Sequence, residues 1–213
     1  MPKKKNRNAP KVAQTLRIFC EGEMTEPHYI KGYLRHFRDD TRTSVVEVMN
    51  SSKNTPVQLV EAAIKFKDSK RSIEGDQFWV VYDREAIAKY TRELHSQACD
   101  MANANGVNVA LSNVCFEFWI LLHFVDSSAS YSSFDDLKKN SALFAEVQKL
   151  CGKKYDKASA MLFEEIKGFV DLARTRAVRI NGQGLANAGA QREPYDINPF
   201  TDMPRLLDAI DKF

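Results

Sequence analysis

Apolar residues in this chain fall into short runs of two kinds. "QTLRIF" (14–19), "SVVEVM" (44–49), "QFWVVYD" (77–83) and "VNVALS" (107–112) are brief and rich in β-branched and aromatic residues, so they read as strands. The third run is continuous, which predicts burial on both faces. Helical spacing occupies the intervals. After Thr25, residues Ile30, Tyr33, Leu34 and Phe37 share one face. Thr25 is placed to cap that helix, and Pro27 sits in its first turn, where no backbone N–H is needed. "TPVQLVEAAIKFK" repeats the start at Thr55 and Pro56, with Leu59, Val60, Ala63 and Ile64 as its stripe. A third helix is predicted from about Ala86 to Asn105, stopped by Gly106, and "CFEFWILLHF" is the fourth. Strand and helix alternate four times. This order predicts an α/β fold with a mostly parallel four-stranded sheet flanked by helices.

Beyond Phe124 the pattern changes. "DSSASYSSFDD" is a polar linker, and helical segments follow near 134–150, 157–180 and 203–212. "NGQGLANAGAQREPYDINPF" is long and rich in small residues, so a flexible loop is expected near 181–199. The predicted organisation is a basic arm over 1–13, a core over 14–125 and a helical extension over 126–213. Lys3, Lys4, Lys5, Arg7 and Lys11 of the arm have no acid among them. Such an arm is either disordered and solvated or seeks phosphate. Elsewhere the charge is balanced: the net charge is +3 over 213 residues. That neither demands nor excludes nucleic acid. No run reaches the roughly 20 apolar residues that span a bilayer, and no apolar signal follows the arm. Cys20, Cys99, Cys115 and Cys151 form no C-x-x-C pair, which argues against zinc and for a reducing, cytoplasmic setting.

Sites in open parallel sheets form beyond the carboxyl ends of the strands. Glu21 follows the first strand here. Asp83 and Glu85 end the third, and Glu117 lies one turn into the helix after the fourth. Glu21, Asp83 and Glu85 converge if the first and third strands are neighbours. Together they would repel one another without a cation, and Mg²⁺ takes oxygen ligands. Glu23 and Glu26 are explained by the helix dipole, which also accommodates Glu85. Glu117 sits among Phe116, Phe118, Trp119 and Ile120. It must be paired, either structurally or as a site member. His123 is expected to be a satisfied core histidine.

These stretches resemble a known family. "CEGEMTEPHYI" is similar to the E-G-x-x-T-E-x-x-Y opening of the RloB family, and "VYDRE" to its D-x-D-like strand end. "LSNVCFEFWILLHF" resembles its S-N-x-x-F-E-x-W-x-L-L-H-F signature, and "NPFTDMPRLLDAI" its N-P-x-T-D closing segment. The resemblance spans about residues 16–210. It implies a TOPRIM-like catalytic core with Glu21, Asp83 and Glu85 at the metal positions, Glu85 replacing the commoner Asp. It also implies antiphage defence by growth arrest, beside an ATPase of the ABC or SMC-like type. Relatives suggest RNA, including transfer RNA, as substrate. The expected activity is a nuclease dependent on Mg²⁺ or Mn²⁺. Glu21 would serve as acid, base or ligand, and Glu117 as a further catalytic member. Lys153, Lys154 and Lys157, with Arg174, Arg176 and Arg179, would contact phosphates unless they form a solvated face. The alternative is a non-catalytic module that binds nucleic acid or the ATPase. A homodimer is compatible with either.

Overall fold

A computed structural model describes residues 13–38, 44–49, 55–189 and 192–213. The basic arm, apart from its last residue, lies outside the described residues. The strands are β1 (Thr15–Cys20), β2 (Val45–Met49), β3 (Gln77–Asp83) and β4 (Asn108–Asn113), close to the predicted runs. They form one sheet in the order β2-β1-β3-β4, all parallel. A fifth strand, β5 (Phe200–Thr201), extends the expected four and pairs antiparallel with β4. Two residues are too few to carry a periodic signal, so sequence reading passes over it.

Helices cover both faces. Phe19, Phe78, Val80, Tyr82 and Leu111 point to the face covered by α2 (Pro56–Lys67) and α3 (Arg92–Ala104). Leu16, Ile18, Trp79, Val81 and Ala110 point to the other, under α1 (Thr25–Phe37) and α4 (Phe116–Phe124). This explains the unbroken apolar run of β3: alternate side chains enter different cores. α4 is apolar all round because it is enclosed, with the sheet on one side and later helices on the other.

Those later helices are α5 (Phe134–Asn140), α6 (Leu143–Cys151), α7 (Leu162–Ile166), α8 (Val170–Ala188) and α9 (Met203–Lys212). They share the core of α1 and α4, and α9 packs on β4. The chain beyond residue 125 thus completes the sheet's second layer.

Three local expectations change. The segment 181–188 is helical, not loop, because α8 runs on to Ala188. Asn181 holds it there: its side chain donates to the Thr201 carbonyl (2.8 Å) and accepts from the Thr201 amide (3.1 Å). Tertiary packing overrides the turn-forming composition. α3 begins at Arg92 rather than Ala86. Thr91 caps it, accepting from the Leu94 amide, while Glu85 holds a left-handed φ of 58° that interrupts any earlier helix. Thr25 does not cap α1; its hydroxyl donates to the Lys157 carbonyl (3.1 Å) and ties the helix start to the segment before α7.

Candidate active site

β1 and β3 are neighbours, with Cys20 opposite Val81, so their ends emerge side by side. The Glu21 amide extends the pairing by donating to the Val81 carbonyl (2.9 Å). The Glu21 carboxylate then accepts from the Asp83 amide (3.2 Å) and the Tyr90 hydroxyl (2.8 Å). Tyr90 arrives on the segment between β3 and α3. Buried Arg84 anchors that segment, donating to the Tyr90 carbonyl (2.9 Å) and the Tyr195 carbonyl (3.1 Å).

Gly22 lets α1 turn back over the strand end. A Cβ there would stand 2.3 Å from Glu26 Oε2, so the Glu26 carboxyl lies directly over Gly22. Glu26 is buried in the first turn of α1. Glu117, 1 % exposed, enters from the first turn of α4. Its Oε1 accepts from the Tyr155 hydroxyl (3.0 Å) and faces the Lys157 ammonium (2.9 Å), while Oε2 is buried without a hydrogen-bond partner. Glu85 pairs with Lys89 (2.6 Å). The result is a cavity of about 410 Å³ whose walls include Glu21, Glu26, Asp83, Glu85, Tyr90 and Lys157.

Mutual repulsion shows in the proton affinities. Burial pushes the Asp83 carboxyl well above its usual range, and Glu26, Glu117, Glu21 and Glu85 push it further. Burial, then Glu117 and Glu21, raise Glu26 to about 7. Burial also raises Glu21, although its bonds from Tyr90 and Asp83 oppose the rise. Without a cation, Asp83 therefore holds its proton more tightly than an ordinary carboxyl.

The donor set fits a hard divalent cation: it is oxygen only, crowded and short of positive charge, with the unpaired buried Oε2 of Glu117 behind it. The side chains are not yet gathered around a point. Among the described residues, no three His, Cys, Asp or Glu side chains stand in metal-holding geometry.

The family model described as RloB-like protein matches residues 16–210. This chain belongs to the RloB-like protein family. No curated protein and no solved structure matches it.

The RloB-like stretch contains every acid of the cavity. Glu21, Asp83 and Glu85 meet there as the strand order predicts, and Glu117 stands behind them on Lys157. Of the six basic residues expected to contact phosphate, Lys157 alone lines this cavity; Lys153 and Lys154 line a separate cleft beside Cys151. The arginines are engaged internally. Arg174 donates to Asp211 and the Tyr33 hydroxyl (both 2.7 Å), Arg176 to the Leu122 carbonyl (2.7 Å), and Arg179 to Asp126. His123 is a core residue: its Nδ1–H donates to the Trp119 carbonyl (3.1 Å), leaving Nε2 to accept from the Tyr29 hydroxyl (3.0 Å). Burial lowers its pKa to about 4, so it stays neutral.

Two site residues escape the strand-end rule. Glu26 is explained by the helix dipole alone, although it is the third glutamate of the "EGEMTE" stretch. Tyr90 carries no local signal, because the Arg84 anchor that holds its carbonyl is a tertiary contact.

Proposed function

We propose that this chain is a divalent-cation-dependent nuclease with a TOPRIM-like core, acting on RNA in preference to duplex DNA. The observation that carries this reading is the buried carboxylate cavity, where burial and neighbouring acids raise the proton affinity of Asp83. Strongly perturbed acids in a cleft mark functional sites. A purely structural cluster of this kind would weaken the fold with no return.

Asp83, Glu26 and Glu21 would hold the ion. Once bound, Mg²⁺ or Mn²⁺ offsets charge on the scissile phosphate and makes an attacking water more acidic. Glu21 is fixed by Tyr90 and the Asp83 amide, so its carboxylate keeps one orientation through turnover. Lys89, half-exposed beside Glu85 at the cavity wall, is placed to meet an incoming phosphate. The RloB-like match supports a role as effector of an antiphage system, beside an ATPase of the ABC or SMC-like type. Cytoplasmic location follows from that role; among the described residues no helix is long and apolar enough to cross a membrane.

A second reading, a non-catalytic module binding nucleic acid or the ATPase, draws on the acids not being gathered in ligand geometry. One experiment separates the two. The purified chain is incubated with total cellular RNA and with duplex DNA, each with Mg²⁺, Mn²⁺ or EDTA. Cleavage of RNA that EDTA and Asp83→Asn both abolish is expected. Binding without cleavage under every metal condition would favour the module.

A further inference from the structure

Lys157 is the feature that the nuclease reading leaves unexplained. A phosphate-binding lysine should carry an uncommitted ammonium; the Lys157 side chain is 47 % exposed, yet its ammonium is already committed to an acid and a ring. Its ammonium lies 2.9 Å from Glu117 Oε1 and 3.6 Å from the centre of the Phe134 ring. Its carbonyl accepts from Thr25, at the start of the helix that carries Glu26. The ammonium is therefore held by α4 and α5, and the backbone of the same residue by α1. Tyr155 secures the same Glu117 oxygen from the other side (3.0 Å). Glu117 Oε2 remains buried and unpaired beside the other acids.

We propose that Lys157 is the resident cation of this site. It permanently neutralises Glu117, so the remaining acids, Asp83, Glu26 and Glu21, take a single divalent ion. This rests on the metal-dependent reading above and deepens it. The geometry favours the lysine over a second ion at Glu117 for two reasons. A pinned ammonium with an aromatic ring beneath it needs no dehydration or assembly. A second Mg²⁺ at Glu117 would meet the ammonium already 2.9 Å from Oε1, and the two positive charges repel. Lys157 is thus a positioning residue: it fixes the Glu117 charge and with it the number of ions.

The test is calorimetric titration of the full chain with Mn²⁺ alone, without substrate. Wild type is expected to bind one ion per chain. Lys157→Met unmasks Glu117 and should bind a second ion, or the first at least about tenfold more tightly, since a nearby unit charge is gone. Lys157→Arg should restore the wild-type isotherm. The double variant Glu117→Gln/Lys157→Met removes both charges and should again bind one ion with near wild-type affinity. It keeps the inference testable if Lys157→Met fails to fold. Two ions on the wild type, an unchanged isotherm in Lys157→Met, or loss of the ion in the double variant would each overturn the assignment. No Mn²⁺ binding by any variant would instead remove the metal-dependent reading on which it rests.

Discussion

Near the start of β1 and β3, Arg17 donates to Asp76 (2.5 Å) and to Glu47 (3.1 Å). Asp76 also accepts from the amides of Thr15 (2.7 Å) and Ile73 (3.1 Å). At the far end of the same two strands, Glu21, Glu26, Asp83, Glu85 and Glu117 share the positive charge of Lys89 and Lys157. The proton affinities follow. Burial opposes ionisation of Asp76, but its two amide donors and Arg17 outweigh that and hold it below the ordinary carboxylate range. Burial dominates at Asp83, and its acidic neighbours add to it. One end of the sheet therefore gains stability from its charges. The other carries a standing electrostatic cost, which an incoming cation would remove.

The largest effects should come from breaking each end in turn. Asp83→Asn keeps shape and removes repulsion, so the metal-free protein should be as stable as wild type or more so. Cleavage should fall by roughly 10³-fold or more, about 4 kcal/mol of lost transition-state stabilisation. Asp76→Ala should do the reverse. The Asp76 side chain is 1 % exposed, and losing it leaves two amides without their acceptor and Arg17 with Glu47 alone, at a cost of roughly 3–5 kcal/mol. Paired urea denaturation and RNA cleavage read both variants. A destabilised Asp83→Asn, or a neutral Asp76→Ala, would dissolve the contrast.

The ends should also respond oppositely to pH. Glu26 rises from 4.5 to about 7 on folding, so above pH 4.5 the native state holds a proton that the unfolded state has released. Stability in EDTA should then fall as pH rises from about 4.5 to 7, by on the order of 3 kcal/mol, and Asp83, raised in the same direction, adds to the fall. Asp76 is depressed below 3.8, so its contribution is full above that value and is lost on acidification. Millimolar Mn²⁺ should flatten the neutral limb, and Glu26→Gln should shrink it. Denaturation midpoints at pH 5 and pH 8 check this; a rise toward pH 8 in EDTA would mean the acids are compensated in some other way.

The contrast also explains what sequence could reveal. Strand runs and the all-apolar helix α4 were legible because burial acts on local periodicity. Glu21, Asp83 and Glu85 were legible because strand ends in parallel sheets share an edge. Glu26 was masked by an adequate local explanation, the helix dipole. The partners of Arg174, Arg176 and Arg179 lie elsewhere in the chain, at Asp211, Leu122 and Asp126. Without them, a basic helix face reads as free. The small residues of 181–188 look like a loop until Asn181 meets Thr201 across the core.

A smaller effect sharpens the role of Gly22. Gly22→Ala would place a methyl group on the Glu26 carboxyl, which is the movable end of a side chain. The carboxyl should swing aside with less than about 1 kcal/mol lost in stability, while Mn²⁺ affinity drops roughly 10–100-fold, as for other displaced metal-site groups. Calorimetric titration beside a thermal melt distinguishes this from misfolding. Unchanged affinity would place Glu26 outside the ion's reach.

The smallest expected effect concerns the basic arm. Residues 1–11 carry Lys3, Lys4, Lys5, Arg7 and Lys11 and no acid. If they contact RNA, each neutralised phosphate adds about −0.7 to the slope of log affinity against log salt on single strands. Deleting residues 1–11 should then flatten that slope by roughly 1–3 units. Melting temperature and Mn²⁺ affinity should not move, since this stretch has no carboxylate and lacks the apolar run of a core element. Lys153→Ala/Lys154→Ala is the matched control, because both side chains are exposed away from the acids. A slope altered by this pair and not by the deletion would shift the phosphate contacts from the arm to the segment before α7. That segment also presents Lys157 to Glu117, so RNA binding and the metal site would then be coupled through one stretch of chain.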